Sequence, residues 1–276
     1  MMEHPSKILQ RLQGRARKRF GQHFLASQDV VDQIVATSRA SAGDRVLEIG
    51  PGLGIMTDRL LKTGAEVTAM ELDRDLGDYL EERFPELTLH RGDALKQDWG
   101  TLLSGGGWKC VSNLPYNVGT KIVTQLVQQS ETFSSLVVML QREVGERMAA
   151  PAGDRKRGSL SVHIEAYARC RVALRVKPGA FHPPPKVESV VLSLVLRDKP
   201  LLGGASPKVF AEVVRAGFST QRKAVHNPLG RIFDKAEVKI ALAEAGVSPM
   251  ARPGVMTLEQ WGAVACRLEG SQRNTK

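Results

Sequence analysis

Cysteine is scarce and scattered. The chain carries only Cys110, Cys170 and Cys266, with no CxxC and no Cys/His pairing, so neither a disulfide framework nor a zinc site is expected and no metal is assigned. Such isolated thiols read as small buried residues of a protein from a reducing compartment. No uninterrupted apolar run reaches the roughly 20 residues of a transmembrane helix. The basic start "KILQRLQGRARKRF" has no apolar centre, which argues against a secretory signal. Internal repeats and long low-complexity tracts are also missing. These absences lead to the expectation of a cytoplasmic protein that does not engage a membrane.

Acidic residues are in deficit. Asp and Glu number 29 against 39 Lys and Arg, for a net charge of +10. Polyanions are the usual partners of such a surface, meaning nucleic acid or acidic membrane. Hydrophobic residues make up 42% and charged residues 25% of the chain, an ordinary mixture for a globular protein with a sizeable core. The length suits one large domain with a small companion. Residues 1–20 form a basic arm, in which Lys7, Arg11, Arg15, Arg17, Lys18 and Arg19 meet only Glu3 as an acid. A solvated tail and a polyanion contact both fit that pattern.

From residue 28 onward, strands and helices alternate. "DRVLEIG", "EVTAMELD", "LTLHRGDAL", "KCVSN" and "SSLVVMLQ" are short apolar runs of the kind that form buried parallel strands. Helical spacing separates them, as in "IMTDRLLKTG" and "KIVTQLVQQS". The fold class expected is α/β, a Rossmann-like parallel sheet with helices on both faces. After Ala150 come a basic turn-rich loop, "PAGDRKRGS", and two β-rich runs around a proline cluster, which read as an antiparallel pair at the sheet edge. "DKPLLGGASP" has linker composition, and helical patterns follow it. The expected division is therefore the arm 1–20, a catalytic domain 21–198 and a small helical C-terminal domain 199–276.

The first strand ends in "VLEIGPGLG". Gly50, Gly52 and Gly54 allow a tight turn and a close approach of backbone N–H groups to a bound molecule. Glu71 ends the next strand, about 20 residues on, where a carboxylate can grip a ribose. The spacing is G-x-G-x-G, and Glu48 stands beside the turn. An acid there is poor company for the pyrophosphate of a dinucleotide and suits a cofactor with a cationic amino-acid part, so S-adenosylmethionine fits. Asp93 in "RGDAL" follows the third strand on the same sheet edge, where it can accept the amino group of the cofactor's adenine.

The fourth strand runs into "VSNLPYNVGT". The Asn113 amide can accept the N–H of a planar amine, Pro115 stiffens the turn, and Tyr116 offers a face for stacking, worth roughly 1–3 kcal/mol per base. Phe181 in "AFHPPPKVES" is a candidate second face. A flipped-out adenine is the natural guest, and a glutamine amide is the competing one.

These segments, taken in order, resemble one family. "FGQHFL", "VLEIGPGLGIMT", "MELDRDL", "NLPYNVGTKIV", "FHPPPKVES" and "GFSTQRKAVHNPLG" follow the succession seen in the KsgA/RsmA family of 16S rRNA adenine dimethyltransferases, over about residues 18–270. The resemblance implies cofactor contacts at His23, Leu25, Gly50, Gly52, Glu71, Asp93 and Asn113. It places the target-adenine site on Asn113, Leu114, Pro115, Tyr116 and Phe181. It implies dimethylation of N6 on two adjacent adenines near the 3′ end of small-subunit rRNA, a part in subunit maturation, and a monomeric enzyme whose partner is the 30S subunit or its precursor. His23 stands where the family usually has Asn. The resemblance assigns rRNA binding to the helical C-terminal domain 199–276, where the "FSTQRK" motif brings Arg222 and Lys223 but has fewer arginines than the family pattern, which shifts the expected rRNA grip toward Arg155, Lys156, Arg157 and the arm. The rival readings are a large-subunit rRNA methyltransferase, a non-catalytic nucleic-acid-binding factor and a protein-glutamine methyltransferase.

Overall fold

The structure is a computed structural model and describes residues 5–12 and 23–271. Contacts divide the chain into two units, residues 1–145 with 170–198 and residues 146–169 with 199–276. Residues 146–169, grouped from the sequence with the catalytic domain, thus lie in the second unit. Among the described residues no helix is long and apolar enough to cross a membrane.

In the first unit, α1 (Pro5–Arg11) and β1 (Phe24–Leu25) precede α2 (Gln28–Ser38). The Ser27 hydroxyl caps α2 by accepting the Val30 N–H, at 3.4 Å. Then follow β2 (Arg45–Ile49), α3 (Ile55–Leu61), β3 (Glu66–Glu71), α4 (Arg74–Arg83), β4 (Thr88–Arg91), α5 (Trp99–Leu102), β5 (Trp108–Asn113), α6 (Gly119–Leu126) and β6 (Phe133–Gln141). Parallel pairing joins β4 to β3, β3 to β2, β2 to β5 and β5 to β6. The central strands are apolar on both faces, as helices above and below require. Val46, Ala69, Val111 and Val137 are buried in one core with Val31 and Ile34 of α2 and Leu60 of α3.

Across the sheet the order is β4-β3-β2-β5-β6-β9-β7, so the strand order reverses between the parallel neighbours β2 and β5. Ligands of open α/β sheets sit at such a reversal, beyond the strands' carboxyl ends. The two β-rich runs expected at the edge are β7 (Ala168–Val176) and β9 (Ser189–Leu196); they are neighbours there, with β9 antiparallel to β6. Between them β8 (Phe181–His182) pairs antiparallel with β1.

The second unit begins within α7 (Arg142–Met148), continues through α8 (Ser159–Tyr167), and then holds α9 (Pro207–Gly217), α10 (His226–Leu229), α11 (Lys235–Glu244) and α12 (Leu258–Leu268). Ser206, Asp234 and Thr257 cap α9, α11 and α12 through their side chains. Phe210, Phe233, Leu242 and Trp261 fill the core, with the Phe218 ring stacked on Trp261 at 5.5 Å.

Candidate active site

A cavity of about 200 Å³ opens at the carboxyl ends of β2, β3 and β5. Its floor is the turn after β2, where Gly50, Gly52 and Gly54 have φ of 68°, 59° and 75°. Those left-handed values cost a residue with a Cβ about 1–2 kcal/mol each, which explains the run of glycines.

Glu71, at the end of β3, ties the turn to the sheet. One carboxylate oxygen accepts the N–H groups of Leu72 and Asp73 at 2.8 and 2.9 Å, and the other accepts the Gly52 N–H at 3.3 Å. Burial pushes its pKa up, against the pull of those bonds. Asp93 lines the cavity while one of its oxygens accepts the Leu95 N–H at 3.0 Å. Capping and ligand contact are therefore compatible in this residue.

The stretch after β5 forms the opposite wall. Leu114 is buried, and its N–H donates to the Met139 carbonyl at 3.2 Å. The Pro115 carbonyl accepts from Val118 and Gly119, so the turn closes directly into α6. The Asn113 amide nitrogen donates to the His23 carbonyl at 3.3 Å. That contact turns the amide oxygen into the group left to accept an incoming N–H. The Tyr116 hydroxyl bonds the buried Ser189 hydroxyl at 2.6 Å, which fixes the ring; burial pushes its phenol pKa up and keeps it neutral. His23 is anchored through Nδ1 to the Pro183 carbonyl at 2.8 Å, and its ring lies 5.6 Å from that of Tyr116.

Beneath the turn lies a buried polar layer. Glu48 is 1% exposed and accepts a hydrogen bond from the Thr57 hydroxyl at 2.6 Å. Burial, with the neighbouring charge of Glu71, raises its carboxyl to about 8. Ser112 accepts the Ile49 N–H at 2.8 Å, and the Cys110 thiol beside it is pushed up to about 12 by burial.

Every expected cofactor residue lines this one cavity: His23, Leu25, Gly50, Gly52, Glu71, Asp93 and Asn113. Leu114, Pro115 and Tyr116 line it too. Phe181 does not. Its ring is 4% exposed, in the core, because β8 pairs with β1 and sets Phe181 opposite Leu25. The basic residues divide. Arg155, Arg222 and Lys223 are exposed, and Lys156 pairs with Glu146. Arg157, expected at the RNA surface, is instead 3% exposed, paired with Glu165 at 2.7 Å and bonded to the Ala150 carbonyl at 3.0 Å. Arg17, Lys18 and Arg19 lie outside the described residues. Asp73, which caps α4, and the exposed Leu72 also line the cavity; their place after Glu71 in "MELD" is the only signal the sequence holds for them.

The family model for ribosomal RNA adenine dimethylases matches residues 13–268. The chain belongs to that family. It is accordingly an S-adenosylmethionine-dependent rRNA adenine dimethyltransferase. A ribosomal RNA small subunit methyltransferase A from Syntrophotalea carbinolica is 45% identical over 255 residues, covering 91% of this chain and 96% of the relative. Its counterpart from Thermosynechococcus vestitus is 40% identical over 268 residues, covering 94% and 99%. Among solved structures, a dimethyladenosine transferase from Plasmodium falciparum shares the fold with a TM-score of 0.72 at 22% identity, covering 88% of this chain and 96% of that one. The 23S rRNA methyltransferase ErmE follows with a TM-score of 0.70 at 26% identity, covering 89% and 99%. The donor set fits the cofactor. A buried carboxylate at the end of β3 suits a ribose diol, Asp93 suits an amino group, and Glu48 beneath the turn suits positive charge.

Proposed function

We propose that this chain transfers methyl groups to N6 of two adjacent adenines near the 3′ end of 16S rRNA, on the 30S subunit or its precursor. In this reading it works as a cytoplasmic monomer and takes part in subunit maturation. The observation that carries the adenine part is the Asn113 amide oxygen, left unpartnered among the described residues on the cavity wall beside the Tyr116 ring. The names of relatives 38–45% identical support the small subunit.

Bound S-adenosylmethionine supplies an electrophilic methyl group on a sulfonium sulfur. The chain does the positioning. Asn113 accepts one N6–H and holds the nitrogen lone pair toward the cofactor side of the cavity. The Tyr116 face takes the flipped base, at roughly 1–3 kcal/mol for stacking. Pro115, with no N–H to solvate, keeps the turn stiff and dry. No strong base is needed, because N6 loses its proton to water after attack and not before. Orientation and exclusion of water then account for most of the rate.

The test is transfer of tritiated methyl groups onto under-methylated 30S and 50S subunits, followed by nucleoside analysis. Dimethyladenosine is expected from 30S; label appearing only in 50S would replace this reading with the large-subunit one, which the likeness to ErmE keeps in view. Asn113→Ala is expected to lower turnover by on the order of 10²–10³ while rRNA binding persists, since phosphate contacts dominate affinity. Wild-type turnover by that variant would remove Asn113 from the mechanism.

A further inference from the structure

Asn113 and Tyr116, the two side chains set to hold the target base, are each anchored by a residue from outside their own stretch. The Asn113 amide nitrogen donates to the His23 carbonyl. The Tyr116 hydroxyl meets the Ser189 hydroxyl at 2.6 Å. Ser189 is wholly buried and is not part of the cavity lining, so it reaches the site only through the phenol. It opens β9 and stands opposite Gln141, the last residue of β6. The residue before it is fixed as well. The Glu188 carbonyl accepts the Arg142 N–H at 2.9 Å, and the Glu188 carboxylate pairs with the Arg142 guanidinium at 2.5 Å. The hydroxyl that holds Tyr116 is therefore mounted on the sheet and not on the proline loop before it, and a site built on strands keeps its geometry better than one built on loops.

Tyr116 is half-buried. Its hydroxyl end is tethered while its ring reaches the cavity wall. The His23 ring, held to the Pro183 carbonyl, lies 5.6 Å from it at an interplanar angle of 34°. With one end of the phenol fixed by Ser189, the ring has a set tilt, and so has any base stacked on it.

Two transfers to one nitrogen make unequal demands on that tilt. Adenine N6 starts with two hydrogens, and either can be offered to the Asn113 oxygen. After the first transfer N6 keeps one hydrogen and carries one methyl. Only one orientation then serves, with the methyl on the side away from Asn113. In each transfer the N6 lone pair forms the new N–C bond, the electron pair of the broken C–S bond stays on sulfur, and N6 gives one proton to water. The second transfer repeats this with a bulkier amine and less rotational latitude. A misplacement of 1 Å can cost about 10²-fold in rate, and the second step has the narrower tolerance.

We propose that Ser189 is a positioning residue that sets the base plane for the second methyl transfer through the Tyr116 hydroxyl, and so makes dimethyladenine the product in place of monomethyladenine. The proposal rests on the adenine reading of the site and deepens it.

The test follows N6-methyladenosine and N6,N6-dimethyladenosine over time on under-methylated 30S subunits, for wild type, Ser189→Ala, Tyr116→Phe and the double variant. Each single variant leaves one hydroxyl without its partner, which costs stability. The double variant removes both hydroxyls, and its urea melt is expected to match wild type. In all three variants the second transfer is expected to slow on the order of tenfold more than the first, so that monomethyladenosine accumulates. Cofactor affinity by calorimetry is expected to match wild type, because the tether lies outside the cavity lining. A wild-type ratio of monomethyl to dimethyl product in the double variant would overturn the proposal, whatever the absolute rates. So would a loss of cofactor affinity in step with both transfers, the mark of a general loosening of the cavity. Absence of any methyladenosine from wild type on 30S would instead strike the adenine reading itself, leaving Ser189 no second transfer to govern.

Discussion

Glu48→Gln isolates the electrostatics of the buried layer under the glycine turn. Burial raises the Glu48 carboxyl from its ordinary 4.5 to about 8. Between those values the folded chain keeps the proton and the unfolded chain has released it. The unfolded state thus binds fewer protons over that window, so the contribution is full below about pH 4.5, declines as pH rises and is lost by about pH 8. At about 1.4 kcal/mol per pH unit, the whole span is on the order of 3–5 kcal/mol. Glutamine keeps the size and an acceptor for the Thr57 hydroxyl, yet never ionises. In urea melts the variant should match wild type near pH 5 and exceed it by several kcal/mol at pH 8, with the m-value unchanged. Other carboxylates titrate in both proteins and cancel in the difference. The stabilised variant should bind the cofactor more weakly, because positive charge in the cavity favours the ionised form of Glu48 that glutamine cannot supply. Calorimetry near pH 7 in buffers of different ionisation enthalpy should find proton release on cofactor binding to wild type and less to the variant. Stability differences that stay constant from pH 5 to pH 8 would refute the reasoning.

Gly54→Ala should destabilise the first unit by about 2–5 kcal/mol, combining left-handed strain with overpacking, since its Cβ would fall 2.3 Å from the Phe84 ring. Gly43→Ala has a φ of 85° but open space around it, so denaturant melts should show the strain alone, about 1–2 kcal/mol. Arg157→Ala should cost about 2–4 kcal/mol through lost bonds to Ala150, Glu165 and Met256. Arg155→Ala, at an exposed site, should stay within about 0.5 kcal/mol, and equal effects in thermal melts would contradict the burial of Arg157.

The features legible in the sequence share one property: their neighbours are local. The apolar run of β2, the glycines after it and the carboxylate ending β3 are recognisable because a strand–turn–helix unit contains its own reasons, and the family order of motifs added the cofactor. Asn113 to Tyr116 were legible for the same cause, since Pro115 closes the turn into α6 within four residues. Phe181 lies off the cavity lining, in the core, because its place depends on register. A proline-flanked aromatic reads as a stacking face until pairing sets it opposite Leu25, from the far end of the unit. The burial of Arg157 is equally non-local. A basic triplet after Pro151 has the composition of a surface loop, and nothing near it announces that the Met256 carbonyl and Glu165 enclose the third member. A cleft in the second unit lined by Lys223, Arg231, Lys235 and Lys239 is the converse case. Its charges were visible one by one, but Asp234 and Glu237 in the same stretch appear to neutralise them on paper. Only when Asp234 turns to the backbone of α11 and Glu237 to Arg267 does an unbalanced positive wall result. A count of charges along a chain therefore underestimates the field wherever helix caps and ion pairs divert the acids from the cations beside them.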